Sequence, residues 1–196
     1  MDNYLVALDF ETTGLDPENS RIIEIGAIKF SDSGEEIDTF ESFVDPCTNI
    51  PIEISKLTGI SNDMVKGSPN QNEALIELFK WAGNSKVYIA HNATFEAKFI
   101  KAEFNNPPEI FFIDTLEISR RRLKNEKSYK LIDLVPEGTI KRHRALSDAR
   151  ACKSLFHRLS ATYKQGKIPL ERNLKPINDI QINDPPSKKQ LAYIRN

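Results

Sequence analysis

A run of strand-forming residues, Tyr4, Leu5, Val6, Ala7 and Leu8, continues without a break into two acids, Asp9 and Glu11. Turn formers follow at Thr12, Thr13 and Gly14. Side chains two apart on a strand point to the same face, so this spacing predicts both carboxylates side by side at the end of a buried element. Like charges that close repel, and each raises the pKa of the other unless positive charge lies between them. Any fold for this chain has to bring something to that strand end.

The rest of the chain supplies the frame. The run RIIEIGAIKF, residues 21–30, is a second extended segment, and SDSGEE reads as a hairpin turn into a third strand over about residues 37–44. These three predict an antiparallel meander. Residues 51–65 are too interrupted for a long helix and predict two helical turns around a loop at Thr58 and Gly59. Asn70 with Glu73 three residues on starts a helix whose apolar stripe is Ala74, Leu75, Leu78, Phe79 and Ala82, with Gly83 at its end. KVYIA, residues 86–90, reads as a short buried strand, and the segment after it places Phe95, Phe99 and Ala102 at helical spacing. IFFIDTL, residues 110–116, is the last strand candidate. A long helix is predicted from Ala145 to Tyr163, with Ala151, Cys152, Leu155 and Leu159 on one side. Strands in a meander, then strands alternating with helices, predict an α/β fold. Its mixed sheet has five strands, the meander plus two parallel strands, with helices on both faces.

From Lys164 the composition turns polar and rich in proline. Residues 164–196 are expected to be a polar linker and the start of a C-terminal helix or further region, since Ser187 and Gln190 repeat the capping-box pattern; such a tail either docks on the domain or a partner, or leads into a longer protein. Residues 1–163 then form one domain, which 39% hydrophobic and 28% charged residues suit. No apolar run reaches the length of a membrane span, and the N-terminus lacks the basic and apolar segments of a signal peptide, so the expected compartment is the cytoplasm. Cys47 and Cys152 lack metal-ligand spacing and read as buried free thiols. A net charge of -1 excludes neither nucleic acid nor other partners, because recognition depends on how charge is distributed. Basic residues crowd the stretch from Arg120 to Arg144, as either a solvated face or a rim for phosphates.

Three further residues join the acid pair. Glu96 falls in the first turn of the helix after KVYIA, at a strand end, where open α/β sheets place their ligands. Asp148 shares a stripe with Ala151, Cys152 and Leu155 and so faces the sheet. His143 lies just upstream of it, in the loop leading into the long helix. Four carboxylates with little local base to neutralise them call for divalent cations held by oxygen, Mg²⁺ or Mn²⁺. Two such ions about 3.5 to 4 Å apart can clamp the attacking and leaving oxygens of a phosphoryl displacement. His143, with an ordinary pKa of about 6.5, suits removal of a proton from water near neutral pH. Each residue alone also has a plainer role: Asp9 and Glu11 as caps for the following turn, Glu96 and Asp148 as first-turn acids at helix N-termini. Together those roles leave unexplained why the acids occupy strand ends and a core-facing helix position. His91 reads as a hydrogen-bonded residue closing its strand, and His157 as a surface or boundary residue.

At these residues the chain resembles a known family. LDFETTG, HNATFEAKF and HRALSDA resemble, in order and spacing, the three exonuclease motifs of the DnaQ-like DEDDh 3'→5' exonucleases, over about residues 4–163. LTGIS, IDTLEISRR and SYKLIDL resemble further segments of that family. The resemblance implies a ribonuclease H-like fold and a site for two divalent cations. It also implies stepwise release of nucleoside monophosphates from single-stranded or frayed 3' ends, with DNA favoured. By position, Asp9, Glu11 and Asp148 fall on metal-binding residues and His143 on the general base. Thr12, Leu57 and Phe95 fall where the family holds or wedges the last nucleotides, with a core role as the alternative for Phe95.

One position departs from the pattern: the family has aspartate where this chain has Glu96. Glutamate keeps the charge on a longer arm, so Glu96 is expected as the fourth metal-binding carboxylate with altered geometry. The departure keeps a second reading open, a catalytically weak or inactive nuclease-like module that binds nucleic acid or docks on a polymerase through its C-terminal tail. A third, an aspartyl-phosphate phosphatase, is compatible with VALDFETTG but lacks a paired-acid loop and leaves HRALSDA unexplained.

Overall fold

The computed structural model describes residues 4–136, 143–164 and 166–181. Three long strands form the predicted meander: β1 (Tyr4–Thr12), β2 (Ile22–Ser31) and β3 (Glu36–Phe43), antiparallel in sequence. β4 (Val87–Ala90) then pairs parallel with β1, and β5 (Phe111–Asp114) parallel with β4. A sixth strand, β6 (Lys175–Pro176), pairs antiparallel with β5, giving the order β3-β2-β1-β4-β5-β6. The sheet therefore has six strands and not the expected five. A two-residue edge strand ending in proline carries no alternation to read, and proline is tolerated there because an edge leaves ladder positions without a partner.

Alternation along β1 sorts its residues between two cores. Val6, Leu8 and Phe10 face one side with Ile25 and Ala27 of β2, against α3 (Gln71–Ala82) and α4 (Thr94–Glu103). Leu5 and Ala7 face the other, paired with Phe30 and Ile28, beneath α7 (Ala145–Ser160). Ala149, Cys152, Leu155, Phe156 and Leu159 of α7 are buried there. At roughly 1.5 to 3 kcal/mol for each large apolar side chain fully buried, this stripe holds α7 on the sheet strongly enough to carry a polar end with it.

The local signals behave as their chemistry dictates. Asn70 accepts from the Glu73 amide while the Glu73 carboxylate accepts from the Asn70 amide, so the capping box before α3 is complete. α1 (Ile52–Thr58) ends at Gly59, whose φ of 74° suits glycine, and α2 (Asn62–Val65) follows. β5 stops at Asp114, which caps α5 (Thr115–Arg122) by accepting from the Leu116 and Glu117 amides. α6 (Leu131–Leu134) is a single turn. α4 buries Glu96, Ala97, Phe99 and Ile100, whereas Ala102, expected on its stripe, is exposed. α7 ends at Ser160, short of Tyr163. Both cysteines are free, as expected, but Cys47 is exposed and only Cys152 is buried.

Residues 166–181, read from composition as linker, lie against the domain. Ile168, Ile177 and Ile180 are buried, Arg121 donates to Asn173 Oδ1, and Lys175 pairs with Glu117. The helix start expected at Ser187 falls outside the described residues. No helix among the described residues is long and apolar enough to cross a membrane.

Candidate active site

The alternation that buries Leu5 and Ala7 carries Asp9 and Glu11 onto the same face of β1. Across the β1–β2 pair, Asp9 meets Gly26 and Glu11 meets Glu24. The rows under α7 thus change from apolar to polar along β1, and the first turn of α7 reaches over the polar end. At Gly26 an added Cβ would lie 2.0 Å from the Leu146 nitrogen and 2.1 Å from the Ala145 carbonyl carbon, so the helix backbone rests directly on this strand.

Glu24 is fully buried. Its Oε1 accepts from Arg144 Nε at 2.9 Å and Arg144 Nη2 at 2.7 Å, and its Oε2 accepts the Ala145 N–H at 2.9 Å. Asp148 sits in the first turn of α7, and its N–H donates to the Arg144 carbonyl at 3.0 Å. His143 precedes Arg144 with a φ of 56°, a left-handed turn that changes the chain's course as it enters the helix. Glu11, His143 and Asp148 converge: one potential ligand atom from each lies within 4.8 Å of the others.

The electrostatics of this strand end are unfavourable without a cation. Burial, followed by the charges of Asp148 and Glu24, pushes Glu11 up to about 8, with Arg144 pulling the other way. Asp148 is pushed up to about 7 by burial and then by Glu24. Asp9 is raised well above the ordinary carboxylate range by burial, then by Asp148, Glu11, Glu96 and Glu24. Glu96 is raised by burial and by Asp114, with a backbone hydrogen bond opposing. Its Oε2 is buried with no hydrogen-bond partner among the described residues. Half-buried carboxylates that oppose one another, a buried orphaned acceptor on Glu96 and one imidazole form a donor set that a hard divalent cation fits.

Asp9 and Glu96 stand outside the 4.8 Å group, although the charge of Glu96 is among those that raise Asp9. Thr12 is buried at a register shift that ends β1, and its hydroxyl donates to the Gly14 carbonyl at 2.6 Å. Leu57 is half-buried on α1. Phe95 is also half-buried, its ring 5.0 Å from that of Phe99, so at least part of it belongs to the core. His91 closes β4 as expected, with Nε2 2.9 Å from the Tyr129 carbonyl and Nδ1 3.0 Å from Thr115 Oγ1. His157 packs edge-on against Phe30 and Phe156.

Part of the basic stretch serves the fold. Arg121 holds Asn173, while Arg122 donates to Thr162 and lies over the Tyr163 ring. Arg120, Lys124 and Lys127 are exposed, and Lys141 and Arg142 fall outside the described residues. Glu24 and Gly26 had no role in the sequence reading, and Arg144 entered it only as one charge of the basic stretch. The signal was an acid and a glycine inside an otherwise apolar strand, since interior strand glycine marks close backbone approach and a buried acid requires a partner.

A model of the RNase_T exonuclease family matches residues 6–156 of this chain. The PolC-type DNA polymerase III of Clostridium perfringens is 36% identical over 196 residues, covering 96% of this chain and 13% of the polymerase. That of Caldanaerobacter subterraneus is 40% identical over 162 residues, covering 80% of this chain and 11% of the polymerase. The chain therefore spans only a small part of these relatives. Among solved structures, Exonuclease X in complex with 5' overhanging duplex DNA is 24% identical with a TM-score of 0.64, over 81% of this chain and 92% of that one. The nuclease domain of 3'hExo, a DEDDh family member, bound to rAMP, is 20% identical with a TM-score of 0.69, over 81% and 91%. Both share this fold.

Proposed function

The chain belongs to the exonuclease family, among its DnaQ-like members, and on that basis we propose that it hydrolyses phosphodiester bonds at the 3' end of single-stranded or frayed nucleic acid. DNA is the favoured substrate and nucleoside 5'-monophosphates are the products. The observation that carries this reading is the convergence of Glu11, His143 and Asp148 within 4.8 Å at the strand end that also bears Asp9. The relatives are DNA polymerases, which favours DNA over RNA.

Asp9, Glu11, Asp148 and Glu96 would hold two divalent cations, Mg²⁺ or Mn²⁺. When bound, such cations polarise the phosphoryl group and stabilise charge on the attacking and leaving oxygens. His143 removes the proton from the attacking water. The water oxygen bonds to the phosphorus, the bond to the neighbouring nucleotide's 3' oxygen breaks, and that oxygen takes a proton from solvent. Thr12 and Leu57 hold the terminal nucleotides, and Phe95, half-buried, offers the accessible part of its ring to a base, a stacking contact worth about 1 to 3 kcal/mol. Action in the cytoplasm, and attachment to a polymerase through the C-terminal tail, belong to the same reading and draw support from the polymerase relatives.

The second reading, a weak or inactive nuclease-like module, is favoured by one observation: Glu96, in place of aspartate, leaves Oε2 buried without a partner among the described residues. Oligonucleotides of single-stranded DNA, RNA and duplex, labelled at either end, separate the two when incubated with Mg²⁺ or Mn²⁺. Progressive shortening from the 3' end supports the nuclease. Binding without shortening supports the module.

A further inference from the structure

We propose that Glu24 is a positioning residue: it fixes the N-terminus of α7 on β2 and thereby sets His143 and Asp148 against Glu11. The kinetic part of this inference rests on the nuclease reading, and the metal-binding part on geometry alone.

A helix leaves its first amides without partners inside the helix, and these are usually served by a side chain at the N-cap. α7 departs from this, because its N-cap residue, Arg144, makes no side-chain cap bond among the described residues. The acceptor comes instead from another strand: Glu24 Oε2 takes the N–H of Ala145, the first residue of the helix. A carboxylate at that place is also favoured by the helix dipole. Its other oxygen takes two donors of the Arg144 guanidinium, so one fully buried carboxylate grips both residues that join His143 to the helix. The Arg144 carbonyl in turn accepts the Asp148 N–H. The grip therefore acts on the stretch of chain between His143 and Asp148.

Register places this clamp where it matters. Glu24 stands directly opposite Glu11, and Gly26, two residues along the same face, opens the space that the Ala145 and Leu146 backbone occupies. Gly26 permits the approach and Glu24 fixes its position. No direct contact between Glu24 and a substrate is required.

Glu24→Gln preserves size but cannot preserve the pattern. An amide has one acceptor oxygen, so its nitrogen must face either the Ala145 N–H or the Arg144 fork, a donor against donors. Arg144→Lys keeps the positive charge and loses the paired grip. The first measurement is Mn²⁺ binding to the protein alone, followed by the electron paramagnetic resonance of free Mn²⁺. Folded Glu24→Gln is expected to bind about 10- to 100-fold more weakly, the range for loss of support behind a ligand, with Arg144→Lys between it and the parent. The second measurement is oligonucleotide cleavage, where kcat should fall with KM little changed, and where Glu24→Gln should cost much less in a His143→Ala background than in the parent. Parent-like Mn²⁺ affinity in folded Glu24→Gln overturns the proposal. If that variant does not fold, parent-like affinity in Arg144→Lys overturns it. If the parent cleaves nothing while Glu24→Gln still weakens Mn²⁺ binding, the positioning role stands and the nuclease reading fails.

Discussion

Gly26 stands directly opposite Asp9 in the β1–β2 pair, and the volume that a side chain would need above it is filled by the backbone of Ala145 and Leu146. Backbone cannot rotate aside as a flexible side chain can, so Gly26→Ala must lift the first turn of α7 or bend β2. Overpacking of this kind costs about 1 to 3 kcal/mol or more. Because Asp148 travels with that turn, cleavage should fall further than stability does. Thermal melting, with turnover measured well below the variant's Tm, tests this. Parent values for both would mean that α7 does not rest on β2.

The carboxyl cluster makes the metal-free protein sensitive to pH in a definite direction. Between the ordinary carboxylate value of 4.5 and about 8, folded Glu11 keeps a proton that the unfolded chain has released, and Asp148 does the same up to about 7. Where the folded state binds more protons, stability falls as pH rises. Protein stripped with EDTA should therefore melt at progressively lower temperature from pH 5 to pH 8, over the range set by these two groups. Mg²⁺ should restore more at the upper end than at the lower. A melting temperature that rises across this range in EDTA would contradict the arrangement.

Asp148→Asn separates stability from activity. Asp148 is the first charge to raise Glu11 and Asp9 after burial itself, so neutralising it relieves both. Without metal, the variant should melt above the parent near pH 8. Its cleavage rate should drop by at least the roughly 100-fold that loss of mere outer support can cost. EDTA should abolish cleavage by the parent, and Asp9→Ala should behave like the chelated enzyme. A variant that melts lower and cleaves normally would remove Asp148 from the site.

How much of this was legible depends on how local each signal is. Asp9 and Glu11 declared themselves through a period of two, and Asp148 through an acid on a helical apolar stripe, because both patterns lie within one element. Glu24 lay within a strand just as readable, but its meaning depends on Arg144 and Ala145, more than a hundred residues away, and no periodicity encodes that pairing. β6 was hidden for a related reason: Lys175 and Pro176 acquire strand character only from Phe111 and Phe112 beside them. The charges of Arg121 and Arg122 were legible, whereas their partners, Asn173 and Thr162, were fixed by folding.

Those partners divide the basic stretch into two kinds of residue. Arg121→Ala should loosen the segment around Asn173 and lower stability by about 0.5 to 1.5 kcal/mol, the net worth of an ordinary hydrogen bond. The salt dependence of oligonucleotide binding should barely change. Neutralising the exposed Arg120, Lys124 and Lys127 together should instead leave Tm nearly constant and flatten that dependence. A salt slope that follows Arg121 and ignores the other three would reverse the assignment.

By the resemblance of its motifs, Glu96 stands where an aspartate is expected, and its surroundings state what the longer arm costs. The side chain is 2% exposed, its Oε2 has no partner among the described residues, and burial raises its pKa well above the ordinary range. A cation would relieve both conditions, but a glutamate at this depth must fold its extra methylene into the site to reach one. Mg²⁺ demands a near-octahedral shell at short distances, so an ill-placed carboxylate penalises it heavily. Mn²⁺ should therefore support proportionally more turnover than Mg²⁺ in the parent. Glu96→Asp should raise Mg²⁺-supported kcat and narrow the gap between the two metals, while Glu96→Ala should impair both. All three proteins have to be compared at saturating oligonucleotide, because weaker substrate binding can mimic a slower chemical step. A slower Glu96→Asp with Mg²⁺, beside a fully active Glu96→Ala, would place Glu96 outside the site and leave the remaining three acids to hold the cations.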